Sequence, residues 1–365
     1  MDSKVGTASN VIHLNGIDNF SREELDNLKR KREAGQPEAI LSLGISTTSA
    51  CNIRCWYCYA LENKGRRNPD QLSEKEYTDL LDQAVELGAR TLIICGDGEP
   101  TYDPNLVPIV KYAKAKGLCP VIVTNGTVFG NDKISKNVHG MTGDELTQIL
   151  YDSGSSLLIK LETLKPSLYE DIVKVKDGWI AFEKGVERVK KAGFGKTWDE
   201  SGATYSRLAF TGIATKENIE EIPSLKKWAR ENGAQYICKV PSPTGGALDS
   251  IDKLFAPDKV NEIRKYIDNF TDKRETLTPI ILDGDGCKTC LAWHLGPVIS
   301  ETGEYVECYT STQSSFGSIR TKPLKDILKS KQKSMDFDSP CPIKDRLYSQ
   351  LKNIKIVTEY SGREA

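Results

Sequence analysis

The sequence predicts an α/β protein, a partial (β/α)6 barrel of the TIM type built on a parallel sheet. Segments with strand-like and helix-like periodicity alternate over about 200 residues, which favours parallel strands joined by helices. The alternation stops after six strands, fewer than a closed eight-stranded barrel needs. The first strand also leads directly into a loop with three cysteines, which indicates that a functional site lies at the carboxyl ends of the strands.

The elements follow one another in a regular order. Predicted strands cover 39–45, 91–95, 120–124, 156–161, 207–213 and 234–240, and the helices between them cover 73–87, 105–116, 143–153, 181–192 and 219–232. Ahead of the first strand, residues 1–38 are predicted to hold a peripheral helix at 21–31, where Ser21 and Glu24 have the spacing of a capping box. Residues 247–280 are charged and predicted to form a helical bridge.

Composition excludes several classes of protein. The 50 lysine and arginine residues nearly balance 51 aspartate and glutamate residues, so no basic field indicates a nucleic-acid partner. We find no secretory signal and no apolar run of about 18 residues, so we expect no membrane association. Ten cysteines in such a chain favour metal ligands or thiols over disulfides, and a cytoplasmic location is expected.

Three cysteines, Cys51, Cys55 and Cys58, lie within eight residues. This spacing suits a loop wrapped round one compact centre, and thiolates are soft ligands that favour an iron–sulfur cluster or zinc. A structural zinc site needs a fourth ligand, and no other cysteine or histidine lies nearby in the sequence. A [4Fe–4S] cluster with three cysteine ligands would leave one iron open.

The C-x3-C-x2-C pattern, with Tyr57 directly before its last cysteine, resembles the radical S-adenosylmethionine (SAM) enzymes. The resemblance implies that the open iron holds the amino and carboxylate groups of SAM. It also implies that the reduced cluster cleaves SAM to a 5′-deoxyadenosyl radical, so Cys51, Cys55 and Cys58 would be both metal ligands and catalytic residues. The cofactors expected are therefore this cluster and SAM, with an electron donor such as flavodoxin or ferredoxin.

Two later strand ends extend the resemblance over most of residues 39–246. The second strand ends in Gly96, Asp97, Gly98 and Glu99, which is similar to the G-G-E motif that contacts the SAM amino group in this family, although Asp97 replaces the usual second glycine. The third strand ends in Thr124 and Asn125, whose short polar side chains are implied to bind SAM.

The remaining strand ends are less specific. Lys160 is predicted to pair with the SAM carboxylate and Glu162 to bind the ribose, with a buried Lys–Glu pair inside the barrel as the alternative. Ile213 is expected to pack against adenine, as a core isoleucine would also do. Residues 241–246 are interpreted as an exit turn in preference to a phosphate- or sugar-binding loop.

The C-terminal part, residues 281–365, holds a second group of cysteines: Cys287, Cys290, Cys308 and Cys341. The spacing from Cys290 through Gly303 to Cys308 resembles half of the SPASM and twitch domains, which implies a small α+β domain with a second, auxiliary [4Fe–4S] cluster. Zinc held by the same four thiols is the alternative. Cys95, Cys119 and Cys238 lie in or beside predicted strands and are expected to be core residues.

The expected function is abstraction of a hydrogen atom from a small molecule such as a sugar or aminosugar, with oxidation or epimerisation as the outcome. Modification of a ribosomal peptide or protein side chain is the first alternative, and a non-catalytic iron–sulfur scaffold is the second. Candidate substrate contacts are Asp283, Asp285, His294 and Lys239.

Overall fold

The structure, a computed structural model, describes residues 11–17, 20–60, 67–200, 202–269, 295–330 and 347–351. Its strands are β1 (Ile12–Leu14), β2 (Ser42–Ile45), β3 (Thr91–Ile94), β4 (Cys119–Thr124), β5 (Ser156–Lys160), β6 (Trp198–Glu200), β7 (Ala203–Ser206), β8 (Leu208–Ile213), β9 (Gln235–Lys239), β10 (Val298–Ile299), β11 (Glu304–Cys308) and β12 (Ser311–Ser318).

The α-helices are α1 (Arg22–Glu33), α2 (Glu74–Glu86), α3 (Leu106–Ala115), α4 (Thr127–Gly130), α5 (Asp132–His139), α6 (Gly143–Asp152), α7 (Pro166–Val173), α8 (Gly178–Ala192), α9 (Ile222–Glu231), α10 (Gly246–Asp249), α11 (Val260–Asn269) and α12 (Leu324–Lys329). Short 3-10 helices cover Pro100–Tyr102, Ile219–Glu221 and Ile251–Lys253.

Six parallel strands form the core of the main sheet, in the order β2-β3-β4-β5-β8-β9. This confirms the predicted (β/α)6 partial barrel. Alternate residues of β2 and β3, such as Leu43 and Leu92, pack against the surrounding helices in one large buried cluster. All six strands run in the same direction, so the loops that follow them meet at one edge of the sheet.

The C-terminal hairpin continues this sheet and does not build one of its own. β10 pairs in parallel with β2, and β11 and β12 follow it in antiparallel pairing, which gives a nine-stranded sheet within the described residues. Ser300 and Glu301, just after β10, therefore lie at the same edge as the cysteine loop. β10 has only two residues, Val298 and Ile299, which are too few to predict its parallel pairing with β2 from the sequence.

The N-terminal segment does more than carry a peripheral helix. The predicted helix exists as α1 with the Ser21 and Glu24 capping box, but β1 precedes it and pairs in parallel with β7. Leu14 and Ile17 pack against interior residues of the barrel, and the Thr91 hydroxyl donates to the Gly16 carbonyl at 2.7 Å. The N-terminal segment therefore packs against residues of the barrel interior.

Glu76 and Arg320 join α2 to the C-terminal hairpin, with Arg320 Nε 2.7 Å from Glu76 Oε1. This hydrogen bond lowers the pKa of Glu76 from 4.5 to about 2. Because the folded-state pKa is depressed, the pair stabilises the fold above pH 4.5, and the contribution is lost as the pH falls towards 2. We expect Arg320→Met to lower the free energy of unfolding by about 0.5–1 kcal/mol at pH 7, since both side chains are partly exposed.

Urea unfolding at pH 7 and pH 3 tests this expectation. The difference between wild type and Arg320→Met should shrink at pH 3, while Lys322→Met, at an exposed neighbouring position, should match wild type at both pH values. A difference that stays constant with pH would contradict the pairing.

Candidate active site

The three motif cysteines lie in a loop that follows β2 and is tied to two other parts of the barrel. Cys51, Cys55 and Cys58 are 8%, 8% and 9% exposed, respectively. The amides of Arg54 and Trp56 donate to the carbonyls of the last two residues of α7 at 2.9 and 3.1 Å. The cysteine loop is therefore held between α7 and the sheet.

The turn after β9 closes over the same loop. Gly246 N donates to Cys58 O at 2.9 Å, and Gly245 adopts a positive φ of 54°. A Cβ at Gly245 would lie 2.3 Å from the carbonyl oxygen of Tyr59, so only glycine allows this approach. The segment 241–246 is thus a turn, as expected, and it also fixes the backbone position of Cys58.

The chemistry of the donor set fits a cluster with one open iron. Three thiols share one loop, and no disulfide joins the described cysteines. Among the described residues, no group of three or more His, Cys, Asp or Glu side chains has the geometry of a metal site, so the three sulfur atoms are not gathered round one point here. Three soft ligands, with no fourth beside them in the described part of the chain, suit a [4Fe–4S] cluster better than a closed zinc site.

Glu99 is the centre of a buried network that joins the ends of β3 and β4. Glu99 is only 3% exposed to solvent. Oε1 accepts from Thr101 N at 3.0 Å, Thr101 Oγ1 at 2.7 Å and Thr124 Oγ1 at 2.6 Å, and Oε2 accepts from Asn125 N at 2.7 Å. Burial raises the pKa of Glu99, and these donors oppose the shift. Oε2 keeps room for one further donor, such as an ammonium group.

Asn125 links this network to the cysteine loop through Asn52, for which no role was predicted from the sequence. Asn125 Nδ2 donates to Asn52 Oδ1 at 2.9 Å, and Asn52 Nδ2 donates to Thr127 Oγ1 at 2.7 Å. Thr127 N in turn donates to Asn125 Oδ1 at 2.9 Å. The sequence feature that could have indicated a role for Asn52 is its position as a polar residue directly after Cys51 in the cysteine motif.

The loop after β3 passes very close to the chain that enters the cysteine loop. Glu99 N donates to Ala50 O at 2.9 Å. A Cβ at Gly98 would lie 2.3 Å from Ala50 O, and one at Gly96, whose φ is +155°, would collide with Ser46. The two glycines are therefore required for close backbone contact, whereas Asp97 between them lines an adjoining cleft.

Lys160, Glu162 and Tyr57 form one group at the end of β5. Lys160 Nζ lies 3.2 Å from Glu162 Oε1, and the Tyr57 hydroxyl donates to the same carboxylate oxygen. Burial and the Glu162 carboxylate both raise the pKa of Tyr57, which keeps its hydroxyl protonated. The interior Lys–Glu pair considered from the sequence is present, and the binding of SAM by its members stays a prediction.

Comparison with known proteins identifies the domain. Residues 45–223 match the family model described as the radical SAM superfamily. This segment, about half of the chain, is similar to that superfamily. The match begins at the last residue of β2 and runs into α9, so it includes the cysteine loop and the Glu99 network.

Relatives of this chain carry the names of different activities. The chain is 26% identical to a probable GTP 3′,8-cyclase of Methanocaldococcus jannaschii, over 62% of this chain and 73% of that protein. It is 25% identical to a tungsten-containing aldehyde ferredoxin oxidoreductase cofactor-modifying protein of Pyrococcus furiosus, over 78% of this chain and 80% of the relative. These identities leave the substrate open.

A solved structure supports the fold beyond the radical SAM domain. The crystal structure of Streptococcus suis SuiB bound to the precursor peptide SuiA has a TM-score of 0.59 and 17% identity, and the match covers 91% of this chain and 71% of SuiB. At this identity the likeness concerns the fold alone. It extends the α/β architecture to most of the chain and includes the small antiparallel C-terminal region.

Cys95 lies in the barrel interior, outside the buried hydrophobic clusters to which it was expected to belong. It directly follows β3, is half-buried, and lies within electrostatic reach of Lys160, Lys239 and Cys308. Burial raises the pKa of Cys95 to about 12, although the two lysines lower it. The expectation failed because sequence periodicity does not tell which face of a barrel strand meets the interior. Cys238, by contrast, is packed in a buried cluster as expected.

Of the four predicted auxiliary ligands, only Cys308 is described. It ends β11, and its sulfur lies 3.6 Å from Thr310 Oγ1. The other predicted ligands, Cys287, Cys290 and Cys341, lie outside the described residues, as do Asp283, Asp285 and His294. The auxiliary cluster therefore stays a prediction.

Ile213 and Lys239 end the neighbouring strands β8 and β9 and are both half-buried. Lys239 has no carboxylate within ion-pair distance among the residues that the structure describes. In the same described part of the chain, no helix is long and apolar enough to span a membrane.

Proposed function

We propose that this radical SAM enzyme removes a hydrogen atom from a small molecule, such as a sugar or aminosugar, held in the barrel interior, and that the outcome is epimerisation or oxidation. The observation that carries the proposal is the Glu99 network, which ties the ends of β3 and β4 to the cysteine loop through Asn125 and Asn52. A site with its polar groups held in place in this way suits binding and reaction of a small substrate better than a scaffold role.

The residues of the site fit the implied cofactors. Cys51, Cys55 and Cys58 would hold the [4Fe–4S] cluster, and the segment Gly96–Glu99 with Thr124 and Asn125 would hold SAM, with Lys160, Glu162 and Ile213 as further contacts. When bound and reduced by a donor such as flavodoxin or ferredoxin, this pair supplies a 5′-deoxyadenosyl radical. The protein itself orients the groups and keeps water from the reacting carbon.

Cys95 supports epimerisation as the outcome. Its thiol is protonated at neutral pH because burial raises its pKa to about 12. A protonated thiol in the interior can return a hydrogen atom to the opposite face of a substrate radical. The resulting thiyl radical is then restored to the thiol by one electron from the external donor and one proton from solvent. Oxidation would instead require an electron acceptor, which the predicted cluster of Cys287, Cys290, Cys308 and Cys341 would supply.

Turnover in D2O separates the two outcomes. With substrates nominated by the neighbouring genes, epimerisation through Cys95 predicts a product that carries one solvent deuterium, and Cys95→Ala should stop its formation. Cys119→Ala is the matched control, because Cys119 is a half-buried thiol at the start of β4, away from the carboxyl edge. A product lighter by two hydrogens and free of deuterium would establish oxidation and contradict the role of Cys95. Turnover of peptides alone would overturn the small-molecule proposal.

A further inference from the structure

A cleft of about 410 Å³ lies beside the cysteine loop, at the edge where β2, β3 and β10 end. Its walls include Ser49 ahead of Cys51, Asp97 after β3, and Glu301 and Glu304 of the C-terminal hairpin. Glu99, Asn125 and Lys160 are not among its lining residues. The cleft is therefore distinct from most of the predicted SAM contacts, and only Asp97 belongs to both.

Glu301 is the unusual residue of this cleft. It is 6% exposed, and its Oε2 has no hydrogen-bond partner among the described residues. Its position is fixed, because its own carbonyl accepts from Leu72 N at 2.7 Å. Burial and the nearby Asp97 raise the pKa of Glu301, whereas hydrogen bonds from Ser49 and Asn68 lower it. A buried acceptor atom without a hydrogen-bond donor destabilises the folded protein unless a ligand supplies the donor.

The charges around Glu301 favour a cationic donor. Among the described residues, three carboxylates line the cleft, against the single guanidinium of Arg67, which is engaged by Asp103 at 3.4 Å. One of the three, Glu304, already accepts from the Ser315 hydroxyl. The described residues offer no group of three ligands arranged for a metal ion. An ammonium group meets these conditions, because it carries positive charge together with hydrogen-bond donors.

We propose that this cleft binds the ammonium group of an amine-bearing small molecule, with Glu301 Oε2 as the acceptor and Asp97 as a second negative charge. The inference rests on the proposed function in one respect, namely that the bound amine is the substrate. Asp97 stands where the family pattern has a glycine, so the departure of this chain from that pattern provides the cleft with a carboxylate. A neutral hydroxyl in place of the amine would lack the charge attraction that this cleft supplies.

Calorimetric titration of the full-length, reconstituted protein at saturating SAM tests the proposal. The probes are glucosamine and glucose, which differ by an amine in place of a hydroxyl group. We expect wild type to prefer glucosamine by about tenfold or more and Glu301→Gln to lose this preference while its weak binding of glucose is unchanged. Glu304→Gln, on the same cleft but with its carboxylate engaged by Ser315, should keep the preference to within about threefold.

Four outcomes would overturn the proposal: equal binding of the two sugars by wild type, no binding of glucosamine, equal losses in Glu301→Gln and Glu304→Gln, or competition between glucosamine and SAM. If Glu301→Gln does not fold, Asp97→Asn takes its place and should reduce the preference measurably. SAM cleavage without any probe is measured in parallel. An amine preference without SAM cleavage would leave the cleft standing and overturn the proposed function, and the reverse result would overturn the cleft alone.

Discussion

Replacement of Cys51, Cys55 and Cys58 together by alanine is expected to remove one cluster from the anaerobically reconstituted protein. Wild type with two [4Fe–4S] clusters should hold about eight iron atoms, and the triple variant about four. The EPR signal that SAM shifts in wild type should be absent from the variant, because the open iron is lost with its three ligands. SAM cleavage should fall to background.

Cys238→Ala is the matched control for this triple variant, since Cys238 is a buried core cysteine. It should keep the full iron content and the SAM-dependent shift. A triple variant that retains a signal shifted by SAM would contradict the assignment of the three cysteines. A triple variant without iron would show that the C-terminal cysteines are not an iron–sulfur site, and oxidation through an auxiliary cluster would have to be dropped.

Glu99→Gln is expected to have the second-largest effect. Every hydrogen bond at this side chain is donated to the carboxylate, so the amide group would place its own hydrogens against Asn125 N or the threonine hydroxyls. We expect the free energy of unfolding to fall by about 2 kcal/mol because buried donors lose their acceptor. SAM affinity should fall by more than about tenfold, since Oε2 no longer offers a charged acceptor.

Equilibrium dialysis with SAM and urea unfolding measure the two effects separately. Glu145→Gln is the control, because Glu145 is the exposed third residue of a capping box at Thr142, where glutamine also serves. It should change neither quantity appreciably. If Glu99→Gln bound SAM as wild type does, Glu99 would have a purely structural role.

Much of the barrel could be predicted because its strands are short apolar runs bounded by helices with clear periodicity. Leu43 and Ile45 of β2 and Leu92 and Ile94 of β3 are fully buried. Short apolar runs of this kind can be predicted as strands from the local sequence pattern alone. The glycines and Glu99 after β3 were assigned because, at that strand end, they resemble the G-G-E motif of the radical SAM enzymes. The site could thus be located at the carboxyl edge of the sheet.

The remainder depends on contacts between distant residues. β1 has three residues and exists only through its pairing with β7, and β10 has two and depends on β2. Asn52 gains its role from Asn125 and Thr127, which lie more than seventy positions away. The burial of Glu301 beside the cysteine loop likewise depends on a distant contact, namely the pairing of β10 with β2. No local pattern contains that information.

We propose that the cysteine loop and the Glu99 network together make a site that cleaves SAM. The most direct test is to incubate the reconstituted, fully loaded protein with SAM and a strong reductant under anaerobic conditions and to quantify 5′-deoxyadenosine. Formation of 5′-deoxyadenosine that depends on Cys51, Cys55 and Cys58 is the expected result. Its absence from protein with a complete cluster would contradict the enzyme assignment and leave an iron–sulfur scaffold as the remaining account.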